Sequence, residues 1–355
     1  MVPPVDAGVD SAPPVRAQEL GKGNHGADSV TLTEIATAVS RLKTPRDLAF
    51  NPKSPDELWV VNAADNSMVI LHDASTDART SERRVDADAA HFMRTPSSID
   101  FGADSTTFGI PGTLATCGES RNPIANNNDF MGPTLWSSDL SIFALKNPSG
   151  LGSHLDMLHD SPLCMGIAHE TGNVYWAFGG LNSEIVRYDF VKDHGIGQDD
   201  HSDGSALHYV TNQVKYTAKV PSHMFFNPAD SMLYIADTGN ARVTKLDTTT
   251  GTPGAMRKKM EPMATCRNTD NAVMTDVVPA GVLTTPSGLE IHGDFLYVSD
   301  NTTSRITAFT LGGEQVNYLD TGLPAGSLSG MAFGPDGKIY FVDMLGNRVL
   351  RIDVP

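Results

Sequence analysis

Positive charge is scarce in this sequence. Lysine and arginine total 26 against 42 acidic residues, a formal net charge of −16. No basic patch is visible, so capture of a nucleic-acid backbone, which depends on such patches, is excluded as a function. Contact with an anionic membrane surface is disfavoured for the same reason. Long apolar runs are missing as well. No stretch approaches the 18 residues that a spanning helix requires. The chain contains no GxSxG elbow, P-loop, dinucleotide fingerprint or HExxH pair, which removes the serine-hydrolase, nucleotide-dependent and zincin readings. The opening residues MVPPVDAGVD have neither the basic nor the apolar region of a secretory leader. The low lysine content, with much Asn, Thr, Asp and Gly, nevertheless suits an extracytoplasmic or secreted protein, with a cytoplasmic one still open.

Cysteine is nearly absent too, with only Cys117, Cys164 and Cys266. Cys117 (LATCGESRN) and Cys266 (MATCRNTDN) lie in similar polar settings. Either they form a disulfide that pins two long loops, or the three are unrelated thiols. Cys164 reads as a packing or channel-lining residue.

What the chain does have is a repeated strand–turn–strand phrase. The clearest copies are Pro221–Asp247 (PSHMFFNPADSMLYIADTGNARVTKLD), Pro286–Thr310 (PSGLEIHGDFLYVSDNTTSRITAFT) and Leu328–Asp353 (LSGMAFGPDGKIYFVDMLGNRVLRID). Further copies occupy Pro45–Asp73 and Cys164–Asp189, and a split copy starts at Pro96 and resumes at Thr134. No such unit buries its apolar face alone, so the units must stack. Six anchors, Pro45, Pro96, Cys164, Pro221, Pro286 and Leu328, spaced by roughly 40–70 residues, predict an all-β, six-bladed β-propeller. The last unit lacks a fourth strand. Ser29–Thr37 (SVTLTEIAT) is expected to supply it and close the ring, leaving no exposed sheet edge. Residues 1–28 are expected to be an extended or disordered arm. Residues 29–355 form one domain with insertions near 104–133, 191–215 and 250–283.

The phrases YIADTGNARVTKLD, YVSDNTTSRITAF and YFVDMLGNRVLRID resemble NHL repeats. Asp237, Asn240 and Arg242 carry the motif in one unit; Asp343, Asn347 and Arg348, and Asp300 with Arg305, carry variants. Asp65 and Asp139 hold the aspartate position elsewhere, and the third blade departs from it with Gly179 and Gly180. An acid repeated in every blade is expected to close turns rather than to catalyse. The resemblance implies a six-bladed propeller and leaves activity open. NHL-like propellers include extracytoplasmic binding domains, RNA-binding domains and metal-dependent lyases acting on hydroxyglycine peptides.

Chemistry is sought where a blade differs from its siblings. Two residues beyond each anchor stand Asp47, Ser98, Gly166, His223, Gly288 and Gly330, a ring facing the tunnel with His223 its one imidazole. Five residues before their anchors stand His91 (HFMRTP) and His159 (HDSPLCM). His91, His159 and His223 are the expected metal ligands at the tunnel mouth, for zinc first and copper or iron otherwise. The peptidyl-hydroxyglycine lyases, which these units also resemble, hold their metal with histidines from separate blades. His154 and His169 are reserve ligands. Arg46 and Asp47 are candidate catalytic residues, as a tunnel-facing charge pair, with Arg46 suited to a carboxylate. The stretch Asp193–His208 reads either as a solvated interblade loop or as a surface site for a structural calcium or a transition metal. Glu119, Arg121 and the Asn126–Asn128 run lie in a long segment that either shapes a pocket or pairs with a neighbouring blade. Trp176 with Phe178 either receives a flat ligand or packs between blades. Two functions follow. One is a metal-dependent lyase or hydrolase acting on a small polar or peptide-like substrate. The other is a non-catalytic scaffold, presumed monomeric, that binds a protein or small ligand on one face.

Overall fold

The computed structural model describes residues 16–104, 112–124 and 128–355. Six four-stranded units surround a central axis. Their inner strands are Pro45–Phe50, Pro96–Phe101, Cys164–Thr171, Met224–Asn227, Pro286–His292 and Leu328–Phe333, at or within three residues of the six anchors. Thr31–Ala36 pairs antiparallel with Arg348–Asp353, so the N-terminal strand completes blade six and closes the ring.

The core is divided among the six junctions between blades, so no single core has to grow with chain length. Each cluster takes residues from two neighbouring sheets. Trp59, from Leu58–Asn62, packs with Phe101 and Phe143 between blades one and two. Trp176 is fully buried between blades three and four, its ring 5.0 Å from Tyr209. It therefore packs between the blades. Near the axis the inner strands approach so closely that a Cβ on Gly288 would lie 2.1 Å from the Ser329 carbonyl oxygen. Glycine at that position is a requirement of close approach.

The aspartates of the repeat close turns. Asp237 accepts from the Lys215 amide, Asn240 Nδ2 and Arg242 Nε at 2.8–2.9 Å. Asp300 accepts four backbone amides, from Thr284, Thr285, Thr302 and Thr303.

Blades two and three hold the departures. The second strand of blade two, Thr113–Gly118, lies inside the segment 104–133; its third is Thr134–Ser137, and its fourth is the two-residue Asp156–Met157. The outer strand of blade three, Ser205–Tyr209, pairs in parallel with Thr265–Asp270, which comes from blade four. With Thr252–Met256 this hairpin extends blade three to six strands.

The cysteine pairing differs from the expected one. Cys117 is bonded to Cys164, and Cys266 is a free, buried thiol. Cys117 is in the second strand of blade two and Cys164 opens the inner strand of blade three, so adjacent blades bring the two together. Cys266 lies instead on the added hairpin.

Of the N-terminal arm, residues 16–28 are packed against blades five and six. Leu20 is fully buried, Asn317 Nδ2 donates to the carbonyls of Ala17 and Gly21, and His25 stacks on Tyr318. Among the described residues no helix is long and apolar enough to cross a membrane.

Candidate functional site

Several places among the described residues gather chemically competent side chains. The first is the tunnel, a cavity of about 240 Å³ lined by Asp47, Asp100, His223 and Glu290 among apolar residues. Asp47 accepts from the Leu48 and Ile99 amides and from Ser98 Oγ at 2.8–2.9 Å. His223 Nε2 lies 3.6 Å from Asp47 Oδ2 and 3.2 Å from the Ser97 carbonyl oxygen. Burial raises the Asp47 pKa, with the nearby His223 opposing it. Burial pushes Asp100 up to about 6, and lifts Glu290 well above the usual carboxylate range with added repulsion from Asp100 and Asp47.

The second is a depression of about 450 Å³ bordered by Arg46, Glu119, Leu163 and Lys219. Arg46 is only 5 % exposed. Its Nη1 lies 2.8 Å from Glu119 Oε2, and its Nε has no hydrogen-bond partner among the described residues. Glu119 also accepts from the Tyr216 hydroxyl and the Lys219 amide. Arg46 and Asp47 are thus neighbours that serve different partners. Arg46 pairs with Glu119, and Asp47 with the inner-strand amides and His223. Arg121 pairs with Asp129 at 2.6 Å, while Asn126 and Asn127 lie outside the described residues.

The third is a histidine cluster among the segments that join blades one, two and three and the added hairpin. It shares no residue with the tunnel lining. His91, on the short helix Ala89–Phe92, presents Nε2 3.3 Å from His159 Nε2. His159 Nδ1 meets Glu261 Oε2 at 2.5 Å, and the other Glu261 oxygen accepts the His159 amide. His201 Nε2 lies 3.8 Å from the same Glu261 Oε2, while its Nδ1 is held by Asp156 at 2.7 Å. Phe130 stacks on His159 with centroids 3.5 Å apart, walling off one side of the ring.

The structure therefore brings His91 and His159 together and leaves His223 apart, in the tunnel beside Asp47. His154 stacks on Phe92 and bonds the Leu151 carbonyl; His169 bonds the Gly172 carbonyl. Neither belongs to the cluster. Glu261 is not anticipated as a ligand by the sequence, and His201 only as part of the Asp193–His208 stretch. The acid- and histidine-rich Asp193–His208 stretch was the signal for His201. Glu261 stands in an unremarkable EPMAT run whose position only the crossing hairpin determines.

His159, His201 and Glu261 each offer one donor atom, all within 4.8 Å of one another, so they form a group able to hold a divalent metal. The far nitrogen of each imidazole has its own partner, His91 for His159 and Asp156 for His201, an arrangement that fixes the ring and turns the other nitrogen inward. Burial lowers the pKa of His159 and of His91, favouring neutral imidazoles. Burial works the same way on His201, but the Asp156 hydrogen bond and the Glu261 charge carry its pKa above the ordinary value. The 2.5 Å contact is a hydrogen-bond distance; two atoms sharing one tetrahedral metal at about 2.1 Å would stand ~3.4 Å apart. Metal entry would open that contact by about 0.9 Å.

No protein-family model and no curated protein matches this sequence. Solved structures do resemble the fold. The virginiamycin B lyase of Staphylococcus aureus is 12% identical with a TM-score of 0.51, over 96% of this chain and 98% of that one. A calcium-binding protein, regucalcin, from Agrobacterium tumefaciens is 12% identical with a TM-score of 0.54, over 92% and 94%. An auxiliary nutrient binding protein from Bacteroides ovatus is 12% identical with a TM-score of 0.54, over 86% and 68%. The chain is a six-bladed β-propeller distantly similar to both enzymes and binding proteins. At these identities the likeness concerns architecture alone.

Proposed function

We propose that this protein is a metal-dependent enzyme of the lyase or hydrolase type. Its metal is held by His159, His201 and Glu261, with His91 and Asp156 orienting the two imidazoles. The observation that carries this reading is the convergence of two separately anchored imidazoles on one buried carboxylate. A two-histidine, one-glutamate set suits zinc and leaves a coordination position for water or substrate. A metal there would supply a water acidic enough to act as base or nucleophile near neutral pH. The structures of a lyase and of a calcium-binding protein on similar propellers are compatible with that chemistry, and a small polar or peptide-like substrate remains the class proposed. The turn networks of Asp237 and Asp343 support an NHL-like ancestry. The Cys117–Cys164 bond supports an extracytoplasmic setting.

A second reading has its own observation. Arg46 and Glu119 border an open depression, and Arg46 keeps an unpartnered Nε among the described residues. A non-catalytic scaffold would use that face for a small ligand.

The deciding test is elemental analysis of the purified chain after equilibration with micromolar zinc, beside His201→Ala and His223→Ala. The enzyme reading expects His201→Ala to lose one zinc equivalent and His223→Ala to lose none. Equal zinc in all three proteins would overturn the assignment of the ligands. A hydrolase and lyase panel on short peptides then compares wild type with Glu261→Gln, whose rate should fall at least ~100-fold.

A further inference from the structure

Residue 160 follows His159 in the chain and belongs to a different cluster. Asp160 Oδ2 lies 2.7 Å from His208 Nε2 and 3.0 Å from Cys266 Sγ, and that sulfur lies 3.7 Å from the same His208 nitrogen. His208 and Cys266 are buried, and Asp160 is half-buried. The far nitrogen of His208 meets Glu184 Oε1 at 3.0 Å, and Arg257 clamps Glu184 through two nitrogens at 2.7 and 3.0 Å.

We propose that Asp160, His208 and Cys266 form a second metal centre, a zinc site of three protein ligands with its fourth position left to water, that clips the blade-four hairpin to the outer edge of blade three.

Four observations carry it. First, the spacing fits. Zinc bonds of about 2.0–2.3 Å at near-tetrahedral angles place ligand atoms ~3.3–3.7 Å apart; the sulfur–nitrogen separation of 3.7 Å already matches, and the 2.7 and 3.0 Å contacts of Asp160 would open by about half an ångström. Second, the ring is held from behind, with His208 Nδ1 lying 3.0 Å from Glu184 Oε1 and 2.7 Å from Arg257 Nη1, which itself clamps Glu184. Third, the charges close. Asp160, Glu184 and a Cys266 thiolate are three anions, balanced by Arg257 and one divalent cation. Fourth, the topology needs a fastener. The parallel pairing of Ser205–Tyr209 with Thr265–Asp270 spans only four residue pairs, from Ser205 with Thr265 to His208 with Asn268. Each strand contributes one ligand, and the interblade segment carrying Asp160 contributes the third. The clip is independent of the His159 centre, with which it shares no ligand.

Without a cation the same atoms close as hydrogen bonds. The thiol donates to Asp160, and His208 sits between Asp160 and the Glu184–Arg257 pair. Burial and the Asp160 carboxylate push the Cys266 thiol up, so the thiol stays protonated in that state. The two states differ in one observable, a sulfur–metal bond. Cys266 is the one cysteine outside the disulfide, so a thiolate signal reports this site alone.

The experiment is titration of the chelator-stripped, non-reduced chain with cobalt(II) chloride, followed by absorption. The proposal expects a near-ultraviolet thiolate-to-cobalt charge-transfer band that saturates at one equivalent and is reversed by zinc. Cys266→Ser should abolish the band. Asp160→Asn, which keeps the sulfur, should weaken binding by about 10-fold or more. His201→Ala should keep the band while losing an equivalent of bound metal, which separates this site from the proposed enzyme centre. If wild type takes up cobalt without the band, or takes up none, the cluster is a hydrogen-bond network and the proposal fails. That reading needs no variant to fold.

Discussion

Blades five and six keep to the repeat; blades two and three depart from it almost everywhere. The regular pair is joined to each other and to blades four and one near the axis by serine-to-carbonyl bonds. Ser287 Oγ donates to the Pro221 carbonyl, Ser299 Oγ to that of Ser329, and Ser329 Oγ to that of Arg46. The irregular pair uses a covalent link, Cys117–Cys164, with one serine bond, Ser97 Oγ to the Cys164 carbonyl, beside it. The position after each anchor holds Arg46, Ser97, Met165, Ser222, Ser287 and Ser329. Two blades have given up the serine, and one of these, blade one, presents the buried Arg46 instead. Both candidate metal groups also lie on the irregular side. The regular blades act as a brace, and the irregular ones have room to carry chemistry because the brace holds the ring closed.

Removing the covalent link should produce the largest effect on this contrast. The Cys117→Ser, Cys164→Ser double variant opens a crosslink between residues 47 apart in sequence, and about 2–4 kcal/mol of stability should go with it. Denaturant unfolding measures the loss, and hydrogen exchange should show new opening concentrated in blades two and three. Uniform exchange across all six blades would mean that the irregular half does not depend on its own fastener.

The regular half has a matching weak point. In Gly288→Ala the new methyl would sit 2.1 Å from the Ser329 carbonyl oxygen and 2.8 Å from Ser299 Oγ. The inner strands of blades five and six would have to part, at a cost of about 1–3 kcal/mol. A melting temperature within a degree of wild type would show that the axis is looser than these contacts imply.

The same contrast governs how much could be read from the chain. Repeats such as IYFVDMLGNRVLRID alternate strongly and end on a turn-forming aspartate, so the blade count, the ring closure by Thr31–Ala36 and the turn role of Asp237 were legible. Thr113–Gly118 reads LATC amid small polar residues with no apolar alternation, which hid a strand of blade two inside a supposed insertion. The pairing of Cys117 with Cys164 was hidden by the same feature, since similar flanking residues say nothing about spatial neighbours. The histidines at matching offsets, His91 and His159, do meet, but that offset rule carries no information about radial depth. His223, at the tunnel, lies on a different element. His201 and Glu261 reach the cluster only because a hairpin from blade four crosses to blade three, a long-range event with no local signature.

A smaller and reversible effect should distinguish the tunnel from the outer strands. Asp100, pushed up to about 6 by burial, has a folded pKa above the ordinary carboxyl value near ~4. Between those values the folded state binds more protons than the unfolded one. Stability is therefore greatest below about pH 4 as far as this group is concerned, and is lost as pH rises through 6. Asp100→Asn keeps an acceptor for the His169 amide and removes the charge. It should match wild type near pH 4 and exceed it at pH 7, by ~1 kcal/mol or less once water in the cavity screens the carboxylate. Asp320→Asn, at the exposed end of the outer strand of blade five, is the comparison variant away from the tunnel. Thermal melts of the three proteins at pH 4, 5.5 and 7 make the comparison. If wild type and Asp100→Asn stay parallel across that range, Asp100 is ionised in the folded chain throughout, and burial in the tunnel does not hold its proton.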